Sequence, residues 1–183
     1  MKSPYLFIAK AIDGKRYNNT KKIGGIDFIV NTSEENHKAS NRFATVISTP
    51  IKYTGPVKVG DTLVVHHNVF KFYNDMYGRR KSGRSYFKDD LFFIEPDQFY
   101  MFHNGEKWNT HGRYCFTKPI PVEDSYIYKP FSEEPLMGEI KYSNDYLRSK
   151  DVNEGDKVCF KPDTEYEFEI EGEKLYRMYD HQI

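Results

Sequence analysis

A nine-residue pattern that occurs twice constrains the fold of this chain more than any other feature. Residues 57–65 read VKVGDTLVV and residues 152–160 read VNEGDKVCF. In both segments a Gly-Asp pair precedes a β-like run. Glycine adopts positive φ without a steric penalty, and aspartate hydrogen-bonds to nearby backbone amides. The sequence therefore predicts two tight structural turns, formed by Gly60 and Asp61 and by Gly155 and Asp156.

Two further pairs of segments match in the same order along the chain. They are 6–12 with 114–120, and 91–99 with 175–183. The number of residues that separates the two members of a pair differs from pair to pair. Longer loops in the first copy explain this difference. Three matching elements in a fixed order predict two tandem copies of one small unit.

Strand-like runs fill the chain, and helical periodicity is scarce. The runs are short, rich in β-branched and aromatic residues, and bounded by turn residues. They cover residues 5–12, 43–48, 62–72, 91–94, 98–103, 113–118, 139–142, 157–161, 166–171 and 175–179. Residues 146–150 allow one helical turn. This pattern predicts an all-β fold, either a barrel or a sandwich.

Composition narrows the class of protein. Lys and Arg together number 27, as do Asp and Glu, so the formal net charge is zero and neutralising phosphate is not expected as the main role. No apolar run approaches the ~20 residues that a membrane helix needs, and the N-terminal segment lacks a secretory-signal pattern. We expect a cytoplasmic protein. Cys115 and Cys159 are either free thiols or one disulfide.

A long polar connection separates the first two predicted strands. It runs from about residue 13 to residue 42, and loops beyond ~12–15 residues are usually functional or disordered. An apolar patch, Ile-Asp-Phe-Ile-Val, lies in its middle at residues 26–30. Such a patch is typical of a segment that becomes ordered on a partner. The alternative is that residues 25–30 are one strand of the barrel.

Other residue groups favour structural roles. Arg79, Arg80, Lys81 and Arg84 form a basic run with Tyr77 and Tyr86 nearby, which suits either nucleic acid or a solvated hairpin tip. The neutral chain favours the second reading, so nucleic acid is not expected as a partner. Adjacent histidines at 66 and 67 are predicted to face opposite sides of a strand. No metal site, cofactor or enzymatic motif is predicted.

Several of these segments together resemble the GroES-type co-chaperonins. The long loop holds Gly24-Gly25-Ile26-Asp27-Phe28, the 57–65 segment carries the Val-x-x-Gly-Asp-x-Val turn, and 138–140 and 173–178 are similar to two further strands of that family. The resemblance implies two tandem, partly orthogonal GroES-like β-barrels. The first spans residues 1–110, with a mobile loop at 13–42 and a basic hairpin at 73–87. The second, shorter barrel spans residues 111–183.

The resemblance also implies a function. GroES-like proteins form a ring-shaped homo-oligomer that caps a GroEL-type chaperonin ring, inside which an unfolded client protein folds at the expense of ATP. By this resemblance, Ile26 and Phe28 make the contact with the chaperonin, and Asp27 lies between them. Ile29 extends the contact. Gly24 and Gly25 form a flexible entry to the loop. The basic run 79–84 corresponds to a roof or partner contact. A bacteriophage relative acting in the cytoplasm of an infected bacterial host is compatible with this composition.

This sequence departs from the family at two places. Asp27 occupies an apolar position of the family's loop, and the second loop, residues 121–137, is short and lacks Gly-Gly-Ile. That loop contains residues 126–128 and Phe131 instead. These residues form either a degenerate chaperonin contact or ordinary packing within the barrel. The alternative function is therefore a virion-associated or structural β-barrel protein that has the fold without chaperonin binding.

Overall fold

The computed structural model describes residues 2–18, 20–29, 39–122 and 133–183. The predicted all-β class is confirmed, since strands make up 48% of the structure and helices 6%. The chain divides into two compact units, residues 1–107 and 108–183. Nowhere in the described part of the chain is a helix long and apolar enough to cross a membrane.

The described residues of unit 1 form ten strands. They are β1 (Phe7–Ala11), β2 (Thr20–Ile23), β3 (Ile26–Ile29), β4 (Phe43–Ser48), β5 (Thr62–Val65), β6 (Phe72–Asn74), β7 (Arg80–Ser82), β8 (Tyr86–Lys88), β9 (Leu91–Ile94) and β10 (Phe99–His103). Six of them pair in the antiparallel order β10-β5-β4-β1-β9-β8. The pairs β2–β3 and β6–β7 are separate two-stranded hairpins. A 3-10 turn, Ile12–Gly14, follows β1.

The core of unit 1 is built from alternating side chains of these strands. Phe7, Phe92 and Phe99 are at most 1% exposed. Phe7 packs edge-on against Phe99, with ring centroids 5.4 Å apart, and Phe70 meets Phe92 at 4.8 Å and 90°. Edge-to-face pairs of this kind add to the free energy gained from burial.

Unit 2 has a simpler sheet. Its elements are β11 (Trp108–Thr110), β12 (Tyr114–Pro121), β13 (Glu133–Tyr142), α1 (Asp145–Arg148), β14 (Lys157–Cys159), β15 (Tyr166–Ile170) and β16 (Glu173–Tyr179), followed by a 3-10 turn, Asp180–Gln182. Five strands pair in the antiparallel order β14-β13-β12-β16-β15. In β15 the glutamates 167 and 169 are exposed, whereas Phe168 and Ile170 are buried, as the alternating pattern predicts.

Five strands of each unit follow one order. Along the chain, β1, β4, β5, β8 and β9 of unit 1 correspond to β12, β13, β14, β15 and β16 of unit 2, and both sheets run third-second-first-fifth-fourth. The match includes the short hydrogen-bonded turn that precedes the third strand in each unit. The two units therefore share the connectivity of these strands.

The Gly-Asp turns are built alike. Asp61 Oδ2 accepts a hydrogen bond from the backbone N–H of Lys58 (2.8 Å), and Asp156 Oδ2 accepts one from Asn153 (2.7 Å). The preceding glycines, Gly60 and Gly155, have φ of 96° and 94°. An L-residue rarely adopts this backbone conformation, so glycine at both positions has a conformational reason.

The strand predicted over residues 62–72 is too long, and the strand predicted over residues 139–142 begins earlier, at Glu133 within the predicted second loop. The run 62–72 was expected to continue as a strand through His66 and His67, with the two rings on opposite faces. Strand β5 ends at Val65, because a turn follows in which the backbone N–H of Val69 donates to His66 O (3.0 Å). The two imidazole rings stack, with centroids 4.1 Å apart. Among the described residues, no three His, Cys, Asp or Glu side chains are placed to hold a metal ion.

A buried carboxylate stabilises unit 2. Asp180 accepts hydrogen bonds at Oδ2 from Arg113 Nε (3.0 Å) and Asn144 Nδ2 (3.1 Å), and Arg113 Nη2 lies 2.7 Å from Oδ1. Asn144 also caps α1, since its Oδ1 accepts from Leu147 N (2.8 Å). Burial opposes ionisation of Asp180, but these partners outweigh it and hold the pKa of its carboxyl below the ordinary value.

Replacing Asp180 with Asn is expected to lower the free energy of unfolding by about 1–3 kcal/mol at neutral pH, because charge-assisted hydrogen bonds are lost. A carboxyl with a depressed pKa stabilises the fold above its unfolded pKa of about 3.9, and this contribution disappears as the pH falls through the folded pKa. The difference between the variant and the wild type should therefore shrink on acidification. Denaturant titrations across pH measure it, with Asp145→Asn as control.

Asp145 is a suitable control because its side chain is fully exposed and, within the described ranges, pairs with Arg148 alone (3.3 Å). Surface pairs of this kind contribute little, so Asp145→Asn should stay within about 0.5 kcal/mol of the wild type. Equal losses in the two variants, or a loss in Asp180→Asn that persists in acid, would contradict the role of the buried carboxylate.

Both cysteines are free thiols. Cys115 is buried and Cys159 is exposed, so the disulfide that the sequence left open is not formed. Burial raises the pKa of the Cys115 thiol to about 12. Since the thiolate is the reactive form, this thiol is protected by both inaccessibility and its pKa.

We expect one fast-reacting thiol per folded chain when a chromogenic disulfide reagent is added at mildly alkaline pH. Cys159→Ser should remove that reaction, and Cys115→Ser should leave it intact. Both thiols of the wild type should react in denaturant. Rapid modification of Cys115 in the folded chain would contradict its burial.

Candidate functional site: an exposed apolar hairpin

The hairpin β2–β3 projects from unit 1 between β1 and β4. Its turn consists of two residues, Gly24 and Gly25, with φ of 59° and 85°. Positive φ at both central positions is the type I′ pattern, which matches the twist of antiparallel strands and strongly favours glycine. The Gly-Gly pair, expected as a flexible entry to a loop, thus forms the turn that reverses the chain.

The register of the hairpin gathers apolar residues on one face. Ile23 pairs with Ile26 across the turn, and Phe28 lies two residues along β3, so all three side chains point to the same side. They are 56%, 64% and 48% exposed. Ile29, on the opposite face, is 68% exposed. Ile23, Ile26 and Phe28 form what we call the apolar hairpin surface.

Such a surface has a physical cost in water. Large side chains scattered singly over a surface need no explanation, but a contiguous group marks an interaction site. None of these three residues belongs to the core of unit 1. Burial of apolar area against a partner contributes about 25 cal/mol per Å². The arrangement is therefore suited to binding an apolar groove.

The base of the hairpin is tied to the sheet by a buried asparagine. Asn41, 3% exposed, donates through Nδ2 to the carbonyl oxygens of Ile12 (3.1 Å) and Lys15 (2.7 Å). Its Oδ1 accepts from Phe43 N (2.9 Å). One side chain thus joins the segment leaving β1 to the segment entering β4. We call these two segments the stem of the hairpin. Their backbones also pair, since Tyr17 and Ser40 form an isolated bridge.

Arg16 and Tyr17 also attach this stem to the β6–β7 hairpin. Arg16 donates to Ser82 Oγ through Nη1 (3.1 Å) and Nη2 (3.2 Å), and its guanidinium lies 3.9 Å from the centroid of the Phe72 ring. The Tyr17 ring stacks on Phe72 at 5.9 Å, and its hydroxyl oxygen accepts from Phe72 N (2.9 Å). Desolvation lowers the pKa of Arg16 from its ordinary value, with the nearby Asp90 acting in the opposite sense.

The structure places the remaining predicted residues as follows. Asp27 lies in β3, opposite Lys22 in the register. Arg79 lies on the turn between β6 and β7, Arg80 and Lys81 lie in β7, and Arg84 follows that strand. Residues 30–38, which belong to the predicted loop 13–42, lie outside the described residues, as do residues 126–128 and Phe131 of the second loop.

Sequence reasoning missed Ile23 as a member of the site. The predicted motif begins at the glycines, whereas the register places Ile23 directly opposite Ile26. A Gly-Gly pair between two isoleucines is itself a hairpin signal, because strands joined by two such residues form a type I′ turn. That signal was sufficient to add Ile23.

Models of known protein families give no match to this chain, and neither do the sequences of curated proteins.

The hairpin residues should tolerate polar substitution without loss of the fold. Ile26→Ser and Phe28→Ser are expected to change the free energy of unfolding by no more than about 0.5 kcal/mol, since both side chains are exposed. Phe99→Ser, at a fully buried position, should cost at least about 3 kcal/mol. Chemical denaturation of the three variants measures this difference. A cost of that size for Ile26→Ser would show that the hairpin packs on the core.

Proposed function

We propose that this chain is a GroES-like co-chaperonin, which caps a GroEL-type chaperonin ring and assists ATP-dependent folding of a client protein. The apolar hairpin surface carries this proposal, because Ile23, Ile26 and Phe28 are exposed together on a defined turn. In the proposal this surface enters an apolar groove of the chaperonin. The chain has no chemistry of its own, and the partner hydrolyses the ATP.

The connectivity of the two units supports the same proposal. Five strands follow one order in both, and the Gly-Asp turn precedes the third strand in each. A tandem pair of GroES-like barrels requires this repetition. In the proposal each unit closes into a small, partly orthogonal barrel, and several chains assemble into a ring.

The size of the surface suits multivalent binding. Three half-exposed side chains gain about 1 kcal/mol each when their remaining area is buried, so one hairpin binds weakly. A ring of hairpins facing a ring of grooves gains affinity through effective concentration, while each contact remains releasable. Weak individual contacts are what a cap that must detach in every cycle requires.

A second candidate function is a structural or virion-associated protein that has lost chaperonin binding. The observation that favours it is the pairing of residues 20–23 with 26–29 within the isolated chain, held by a stem that Asn41 and Tyr17 stabilise. A segment ordered by the chain itself does not need a chaperonin to acquire its structure. The capture experiment below distinguishes the two functions.

The purified chain is expected to bind a GroEL-type ring in the presence of adenine nucleotide, and to co-elute with it on size exclusion. Ile26→Asp and Phe28→Ser should each abolish capture, because a desolvated charge or a lost aromatic ring removes the gain from burial. Native mass spectrometry of the chain alone should show a ring-sized oligomer.

Ile51→Asp provides the matched control. Ile51 is 50% exposed and lies on a turn of unit 1 outside the hairpin, so this variant should bind like the wild type. Capture that survives both hairpin changes would refute the hairpin as the contact. A monomer that no nucleotide state brings onto the ring would refute the co-chaperonin function and leave the structural protein.

A further inference from the structure

A strongly cationic segment lies within the neutral chain. Residues 71–88, here called the basic segment, contain six Lys or Arg residues and one carboxylate, Asp75, whereas the whole chain has a formal net charge of zero. The segment forms the β6–β7 hairpin and strand β8. Two carboxylates, Asp89 and Asp90, follow on the turn to β9. The charge is thus concentrated locally.

The single carboxylate of the basic segment is used by the backbone. Asp75 Oδ1 accepts hydrogen bonds from the N–H groups of Tyr77 and Arg79, both at 2.9 Å. Its carbonyl oxygen accepts from Gly78 N (2.9 Å). Asp75 therefore shapes the tip of the hairpin instead of pairing with the arginine side chains.

Four cations of the segment have no carboxylate partner within the described part of the chain. They are Lys71, Arg79, Lys81 and Arg84, and the last three are exposed. In unit 2, by contrast, exposed lysines such as Lys118 and Lys141 pair with Glu173 at 2.8 Å. Unpaired cations grouped on one hairpin produce a positive potential that attracts anions.

A cleft of about 590 Å³ lies at the foot of this hairpin, and Lys71 and Arg84 line it together with Tyr73 and Phe93. Gly83 brings the two cationic positions together, since its N–H donates to Lys71 O (3.0 Å). A Cβ at Gly83 would lie 2.9 Å from that oxygen, so only glycine permits the approach. The cleft combines two cations and one carboxylate, Glu95, with polar and aromatic walls, at a volume typical of ligand sites.

Tyr73 offers a ring for stacking. It is 54% exposed, lines the cleft, and makes no ring or cation contact with other described residues. At the tip, Tyr77 is 77% exposed with Arg79 5.6 Å from its ring centroid. Aromatic rings interleaved with arginines form the combination that holds unpaired bases by stacking and their phosphates by charge.

We propose that the basic segment and its cleft bind single-stranded nucleic acid. In this assignment a base stacks on Tyr73 within the cleft, while Lys71 and Arg84 contact the flanking phosphates and Arg79 and Lys81 continue the backbone track. Exposed ring faces favour single strands over a duplex, whose bases are already stacked. They also favour nucleic acid over an acidic peptide, which offers charge without planar groups. This activity goes beyond the co-chaperonin role and is independent of the apolar hairpin surface.

Fluorescence anisotropy with a labelled pyrimidine oligonucleotide, measured over a series of salt concentrations, tests the proposal. The wild type should bind the single strand more tightly than the matching duplex. Lys71→Glu/Arg84→Glu should weaken binding at least about tenfold at low salt and make the slope of log K against log salt less steep by about 1.4, at about 0.7 per phosphate contact.

A stacking role predicts a different response. Tyr73→Ala should weaken binding by roughly tenfold with the salt slope unchanged, and Tyr73→Phe should restore it. Lys58→Glu, an exposed charge reversal in unit 1 outside the basic segment, should bind like the wild type. Arg79→Glu/Lys81→Glu serves as a second charge variant if the first fails to fold, as judged by circular dichroism and melting.

Three results would overturn the proposal. They are binding that the charge variants leave unchanged, equal affinity for single strand and duplex, and competition by polyglutamate as effective as that by the oligonucleotide at equal charge. The last result would assign the site to acidic protein segments.

Discussion

In each unit, the carboxylate of one aspartate accepts a backbone hydrogen bond and closes the Gly-Asp turn. That turn sets the register of the sheet. Asp61 closes its own turn, and the backbone then joins that turn to β4, since Gly60 N donates to Val46 O and Val46 N donates to Asp61 O, both at 2.9 Å. Ile140 makes the same pair of bonds with Gly155 and Asp156 in unit 2, at 2.7 and 2.8 Å. A slip of one residue would turn every side chain of the strand to the other face, so the cores depend on these turns.

The contacts of Arg16 and Tyr17 in the stem are a second set of interactions on which unit 1 depends. Both residues contact Phe72, which lies at the start of the basic segment, and both precede the apolar hairpin by a few residues. A two-stranded hairpin is marginally stable alone in water, so a hairpin that keeps apolar side chains exposed needs support from its base. The buried Asn41 and the cation–π contact of Arg16 supply that support without covering Ile26 or Phe28.

Sequence patterns located most strands but not the details that depend on tertiary contacts. The runs 43–48 and 91–94 were predicted with the observed bounds, because apolar alternation and turn residues agree there. The run 62–72 was read as one strand because Val, His and Phe all favour extended structure, whereas local hydrogen bonds at His66 end it early. The long-range bonds of Asn41 to Lys15 and of Arg16 to Ser82 carry no local signal, since these partners lie 26 and 66 residues away. The glycine pair at 24–25 is a hairpin signal in the sequence, but interpreting it as a flexible loop entry left Ile23 out of the predicted site.

The apolar hairpin surface has a further consequence for how this protein behaves in concentrated solution. A two-stranded ribbon with open edges and uncovered isoleucines is a template for edge-to-edge self-association. Among the residues that the structure describes, each strand of this ribbon contains four. Paired segments of this length offer few backbone groups to a second ribbon, which disfavours edge-to-edge pairing while the isoleucine side chains stay exposed. A hairpin of this length thus exposes apolar side chains while it offers little backbone for self-association.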